Sequence, residues 1–170
     1  MAQIYRLATL EDAEKVHHLI LKANAINREL GINFAAATAD LSLVQTHIQN
    51  NLCYVLEEDG RFIASISLRL PWGLQPGPAG VPHIGWFSVD PELGRKGVGS
   101  QLLTWLEEKI LCDSLKVPAV TLGTADKHPW LAAYYEKKGY EKIGEKDLGR
   151  GHITLYFRKV IRKDLYDQLN

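Results

Sequence analysis

A chain of 170 residues whose 20 basic and 20 acidic side chains cancel is long enough to bury roughly two thirds of its unfolded surface in one domain, residues 1–170. The charge balance excludes a general attraction to nucleic acid or to an anionic membrane, and no run of like charge supplies one locally. Cys53 and Cys112 are far apart and without metal-ligand spacing, so both are expected as reduced thiols; with no apolar leader or membrane-length window, the expected location is the cytoplasm.

In chain order, Ile4 to Leu7 reads as a short strand, and Thr9 with Asp12 three residues later marks a helix start. Ala13, Val16, Ile20 and Ala23 then recur at helical spacing. Asn27 to Ala39 is less regular, and Asp40 begins a second helix carrying Leu41, Val44 and Ile48. Cys53 to Leu56 and Phe62 to Leu70 form a hairpin about a turn at Glu58-Asp59-Gly60, and Pro71 to Pro82 is a Pro- and Gly-rich loop. His83 to Val89 resumes as a strand. A helix with Val98, Leu102, Leu106 and Ile110 on one face follows, then a strand over Ala119 to Thr124 and a helix over Pro129 to Lys138 stopped by Gly139. Two further strands near Tyr140 to Lys146 and His152 to Lys159 finish the sheet.

The most informative stretch is Val89 to Ser100, read as strand end, turn, glycine-rich loop and helix start. Gly97 and Gly99 let consecutive backbone N–H groups turn inward at the positive end of the helix dipole, a concavity suited to phosphate. Arg95 and Lys96 add positive charge, so a diphosphate or polyphosphate ligand is expected. Neither the P-loop spacing nor the dinucleotide fingerprint is met, the latter because Leu102 stands at the third glycine position.

The loop resembles the acetyl-CoA pyrophosphate loop of the GNAT superfamily of N-acetyltransferases, Gln/Arg-x-x-Gly-x-Gly/Ala, here Gly94 to Gly99 with glycine at the first position. A second segment, His128-Pro129-Trp130-Leu131-Ala132-Ala133-Tyr134-Tyr135-Glu136-Lys137-Lys138-Gly139-Tyr140, is similar to the same family's Asn-Pro-x-Ala-x-x-Phe-Tyr-Glu-Lys-x-Gly-Phe signature. The resemblance implies an α/β (α+β) fold. Its centre would be a mixed, mostly antiparallel twisted sheet of about six to seven strands, flanked by about four helices. It also implies acetyl-CoA as co-substrate, with no metal, bound by Phe87, Val89, Arg95, Lys96, Gly97, Val98, Gly99, Ser100 and His128.

Tyr135 falls on the tyrosine that protonates the departing coenzyme thiolate, a step a phenol suits because its ordinary pKa, about 10, lies near that of an alkyl thiol. His83 stands where the family carries a Glu, six residues ahead of Val89, and a largely neutral imidazole there is a competent base for the amine proton. The implied strand carries a bulge and splays from its neighbour, which would direct the Val89 N–H to the oxyanion.

The expected function is transfer of the acetyl group of acetyl-CoA to a primary amine by direct attack in a ternary complex, on a small-molecule or peptide acceptor. Phe34 and Trp72 are candidates to line its pocket, and an edge strand near the C-terminus could pair with a second copy. The alternative is a catalytically silent sensor that binds CoA or acetyl-CoA without turnover; a nucleotide-binding module with an accidental glycine loop is a third reading.

Overall fold

The structure, a computed structural model, describes residues 2–93 and 97–169. The helix start at Thr9 forms as its sequence indicates: the Asp12 carboxylate accepts the Thr9 backbone N–H at 2.8 Å. After strand β1 (Gln3–Leu7) a 3-10 turn at Leu10–Asp12 leads into α1 (Ala13–Ala23), which buries Ala13, Val16, Leu19 and Ile20. Asp40 caps α3 (Leu41–Asn50) by accepting the Leu43 N–H at 2.8 Å. The segment expected to be irregular between these helices contains the short α2 (Ala25–Glu29) and a 3-10 turn at Ala35–Thr38.

β2 (Leu52–Glu58) and β3 (Arg61–Arg69) pair across a tight turn in which Asp59 and Gly60 have φ of +51° and +81°, the left-handed pair that matches strand twist. β4 is His83–Val89, and α4 (Val98–Trp105) continues as a π-helical stretch, Leu106–Ser114. β5 (Ala119–Ala125), α5 (Leu131–Lys137), β6 (Glu141–Asp147), β7 (Ile153–Val160) and the short α6 (Lys163–Tyr166) complete the order. α5 begins two residues later than its proline suggested, because Trp130 sits outside helical geometry at φ −139°. Gly139, at φ +93°, ends it, and the Tyr140 N–H reaches back to the Tyr135 carbonyl at 3.0 Å.

The strands form one seven-stranded sheet in the order β1-β2-β3-β4-β5-β7-β6. Every neighbouring pair is antiparallel except β4 and β5. α1 and α3 cover one face, packing Val16, Ile20 and Val44 against Cys53 and Val55 of the second strand. On the other, α4 and α5 pack Leu102, Leu103, Leu106 and Tyr135 against Ile66, Leu68, Ile84 and Leu122. Both cysteines are free, Cys53 buried and Cys112 partly so. No helix among the described residues is long and apolar enough to cross a membrane.

Candidate active site

The site begins with a failure of pairing. β4 and β5 are hydrogen-bonded neighbours only at His83 with Thr121 and Ile84 with Leu122; beyond that the strands part, leaving a slot whose walls carry unpaired backbone. The cause lies on the other edge of β4. Between the pairs Ser67 with Gly85 and Ser65 with Ser88 the ladder shifts, so that Trp86 and Phe87 together oppose Ile66. Trp86 adopts φ +50°, a left-handed conformation that costs a non-glycine residue roughly 1–2 kcal/mol.

A neutral neighbour steadies this bulge. The Trp86 indole stacks on His47 with ring centroids 3.8 Å apart and planes 3° from parallel, and His47 Nε2 is bonded to Ser67 Oγ at 2.8 Å. Burial, with Arg69 nearby, lowers the His47 pKa to about 4. Trp86 thus faces the α1–α3 layer and Phe87 the α4 side. Since the Asp90 N–H is given to Ile63 on β3 at 2.9 Å, strand alternation turns the Val89 N–H to the opposite edge, into the slot.

At the slot's open end stands the start of α4. Gly97, its N-cap, has φ +74°, and its carbonyl accepts the Gln101 N–H at 3.0 Å. The N–H groups of Val98, Gly99 and Ser100 therefore remain without helical acceptors. A Cβ on Gly99 would stand 3.0 Å from Val89 Cγ2 and 3.4 Å from Phe87 Cζ, so a side chain there would have to push Val89 aside for the helix end to approach β4 this closely. Below it Asp90, buried, is held by Arg61 and Lys22. Arg95 and Lys96, together with Gly94, lie outside the described residues.

α5 supplies two tyrosines with different surroundings. Tyr135 is buried, its ring 5.7 Å from Tyr140 and 6.4 Å from Phe157, and burial pushes its pKa up, so the phenol keeps its proton at neutral pH. Tyr134, which the motif had not singled out, bonds Ser100 Oγ at 2.8 Å and ties α5 to the first turn of α4. The sequence signal for it was present only as an aromatic next to the motif tyrosine. His128 is buried with its ring 4.9 Å from Trp130, and its Nδ1 has no hydrogen-bond partner. A buried orphan acceptor or donor beside the slot is the kind of group a ligand satisfies.

His83 begins β4 on the face away from α4. It is 4 % exposed, Nδ1 is bonded to Thr121 Oγ1 at 2.8 Å, and the Pro71–Pro82 loop closes over it so tightly that a Cβ on Gly77 would lie 2.6 Å from its Cβ. Burial, and secondarily Arg69, its partner across the β3–β4 ladder, lower its pKa to about 3. The imidazole is therefore neutral at ordinary pH and its protonation is costly. Phe34 meets His152 edge to face at 4.9 Å on the same side of the sheet. Trp72 is not gathered with them: at 78 % exposure it projects from the loop into solvent. Three residues that no motif marked also gather near His83: Arg69, Thr121 and Tyr156, the last with its ring 6.3 Å from the imidazole.

Gly99's close approach, the orphan His128 nitrogen, the slot and the inward Val89 N–H fit the phosphate and amide-bearing arm of a coenzyme A thioester. Residues 14–140 match the model of the acetyltransferase (GNAT) family. The chain is 63% identical over 161 residues to an S-(2-succino)cysteine N-acetyltransferase from Bacillus subtilis, covering 95% of this chain and 98% of that one. It is 43% identical over 159 residues to an S-alkylcysteine N-acetyltransferase of the same organism, covering 93% and 89%. A crystal structure of a GNAT-family acetyltransferase from Desulfovibrio desulfuricans superposes with a TM-score of 0.72 at 16% identity over 95% of this chain and all of that one, a likeness of fold. Both relatives are transferases, and neither lends support to a silent sensor. The chain belongs to the acetyltransferase (GNAT) family and is an N-acetyltransferase.

Proposed function

We propose that this chain transfers the acetyl group of acetyl-CoA to the α-amino group of an S-substituted cysteine, with S-(2-succino)cysteine as its preferred acceptor. The observation that carries the reading is the identity to the S-(2-succino)cysteine enzyme, sustained over nearly the full length of both chains. The acetyl group arrives as a thioester, whose carbonyl carbon is the electrophile. On this reading Gly97, Val98, Gly99 and Ser100 hold the diphosphate with backbone N–H groups, assisted by Arg95 and Lys96. Phe87 and Val89 flank the arm, and His128 donates to or accepts from one of its amides.

The amine lone pair attacks the thioester carbon while the Val89 N–H supports the charge that develops on the carbonyl oxygen. The carbon–sulfur bond then breaks, and Tyr135, which keeps its proton because it is buried, gives that proton to the departing thiolate. His83 takes the proton lost by the amine. Its low basicity in the free protein makes that acceptance transient, with the proton passed on to solvent, and an anion bound near Arg69 would lower its cost.

The test is release of free coenzyme thiol with acetyl-CoA and a panel of acceptors, with the product identified by its gain of one acetyl mass. S-(2-succino)cysteine should be turned over fastest, S-ethylcysteine more slowly, and the polyamine spermidine scarcely at all. Equal turnover of spermidine and the cysteine conjugates, or release without an acetylated cysteine product, would overturn the acceptor assignment.

A further inference from the structure

The acceptor side of the slot contains a cation with no counterion among the described residues. Arg69 ends β3 directly opposite His83; its Nε is buried and has no hydrogen-bond partner. Arg150 lies near enough to act on its charge, and among the described residues no carboxylate pairs with it. A partly buried guanidinium ordinarily finds an acid or a set of carbonyls, because an unsatisfied buried charge costs several times what a surface one does. Arg61, Arg6 and Arg162 of this chain each have such an acid, at Asp90, Asp12 and Asp164.

A second arginine lies near enough to act on the charge of the first. Arg150 sits in the β6–β7 turn between Gly149 and Gly151, at φ +74° and +83°. The turn is pinned to the segment after α2: the Asn33 N–H donates to the Arg150 carbonyl at 3.3 Å, and a Cβ on Gly151 would stand 2.9 Å from the Gly31 carbonyl oxygen. The residue is exposed, and among the described residues its guanidinium is hydrogen-bonded to the Asn33 carbonyl alone, at 3.5 Å, the outer limit of such a bond. The turn is fixed while the charge it carries is uncommitted.

We propose that Arg69 and Arg150 form a two-part carboxylate-recognition site for the acceptor: Arg69, beside the apex of the slot, holds the α-carboxylate, and Arg150, at the rim, holds the carboxylates of the succinyl arm. The assignment rests on the functional reading above and follows from distance along the substrate. The α-carboxylate is attached to the carbon that bears the reacting amine, so it must bind next to the transfer point, where Arg69 faces His83. The succinyl carboxylates lie beyond the sulfur and can reach only outward. Arginine is suited to both, since its planar fork matches a carboxylate bidentately. Arg150 is then a specificity determinant and Arg69 a positioning residue common to every cysteine-derived acceptor.

The test compares kcat/KM for S-(2-succino)cysteine and S-ethylcysteine, at saturating acetyl-CoA, in the full-length wild type, Arg150→Gln and Arg69→Gln, with KM for acetyl-CoA measured alongside. Arg150→Gln should lower the value for S-(2-succino)cysteine about tenfold or more and that for S-ethylcysteine less than about twofold, the loss of a charge-assisted bond to one acceptor only. Arg69→Gln should lower both by about tenfold or more through the acceptor KM, with KM for acetyl-CoA unchanged, and Arg69→Lys should recover part of the loss. An unchanged preference between the acceptors in Arg150→Gln would overturn the rim assignment, as would undiminished use of either acceptor by Arg69→Gln the apex assignment. A rise in KM for acetyl-CoA in Arg69→Gln would show a general structural role instead. Wild-type enzyme that acetylates neither acceptor would overturn the functional reading and this assignment with it.

Discussion

The two sides of the β4–β5 slot solve their binding problems with different materials. The α4 side is made of backbone and absent side chains: Gly97 in its left-handed N-cap, Gly99 against Val89, the N–H groups of one helix turn, and the Val89 N–H turned inward by the Trp86 bulge. The α1–α3 side is made of ionisable and aromatic side chains: Arg69, His83, Tyr156, Phe34 and His152, with Arg150 at the rim. Backbone recognition suits a ligand that every member of such an enzyme family shares, because it does not depend on which side chains drift. Side-chain recognition suits the acceptor, whose identity can change by one or two substitutions. The division predicts that lesions on one side disturb one substrate's constants and spare the other's.

The largest expected effect is at the proposed acid on α5. With Tyr135 as the proposed acid, Tyr135→Phe would remove the proton given to the thiolate and nothing that holds either substrate, so kcat should fall on the order of 100-fold with both KM values within about threefold of wild type. A loss seen only in KM would remove the acid role.

Two glycines then separate the sides. Gly99→Val introduces a branched side chain where even a Cβ would be 3.0 Å from Val89; it should raise KM for acetyl-CoA by about tenfold and leave the acceptor KM nearly unchanged. Gly77→Ala, whose Cβ would be 2.6 Å from His83, should do the reverse by displacing the loop over the acceptor. Steady-state kinetics on both variants tests the division, and matched changes in both constants would break it.

Acid should weaken the acceptor side first. His47 and His83 have folded-state pKa values of about 4 and about 3 against 6.5 unfolded. Above pH 6.5 both states are neutral and nothing is gained or lost. Below it the unfolded chain takes up protons that the folded chain refuses, so stability falls as pH drops toward 4, by on the order of 1–2 kcal/mol per histidine at pH 5. Urea melts at pH 7 and pH 5 should show this fall, and His47→Gln should show a smaller one. An equal fall in the variant would locate the acid sensitivity elsewhere. The smallest effect belongs to Ser100→Ala, which loses the bond to Tyr134 and should cost about 1 kcal/mol of stability with little change in either KM.

What could be read in the sequence follows the same division. Glycines at fixed spacing, an N-capping Asp40, a Gly139 helix stop and alternating strands are local signals, because each backbone requirement is met by residues next to one another; the left-handed Gly97 at the start of α4 and nearly every element were legible for that reason. Which helix layer Trp86 and Phe87 each face, α1–α3 and α4 respectively, depended on the bulge opposite Ile66. Arg69, Thr121 and Tyr156 carry no local signal at all. They meet His83 only through the β3–β4 and β4–β5 registers and the packing that follows, so the cluster around His83 was not legible beyond His83 itself. Trp72, chosen for its place in a long loop, points to solvent, while Gly77 and Val81 of the same loop turn inward.

The most direct measurement is a calorimetric titration of the purified chain with acetyl-CoA, with CoA, ATP and NAD as controls. Selective micromolar binding of the two coenzyme A species, weakened in Gly99→Val and unaffected in Arg150→Gln, is the predicted result. Equal binding of all four ligands, or none, would contradict the assignment of the slot.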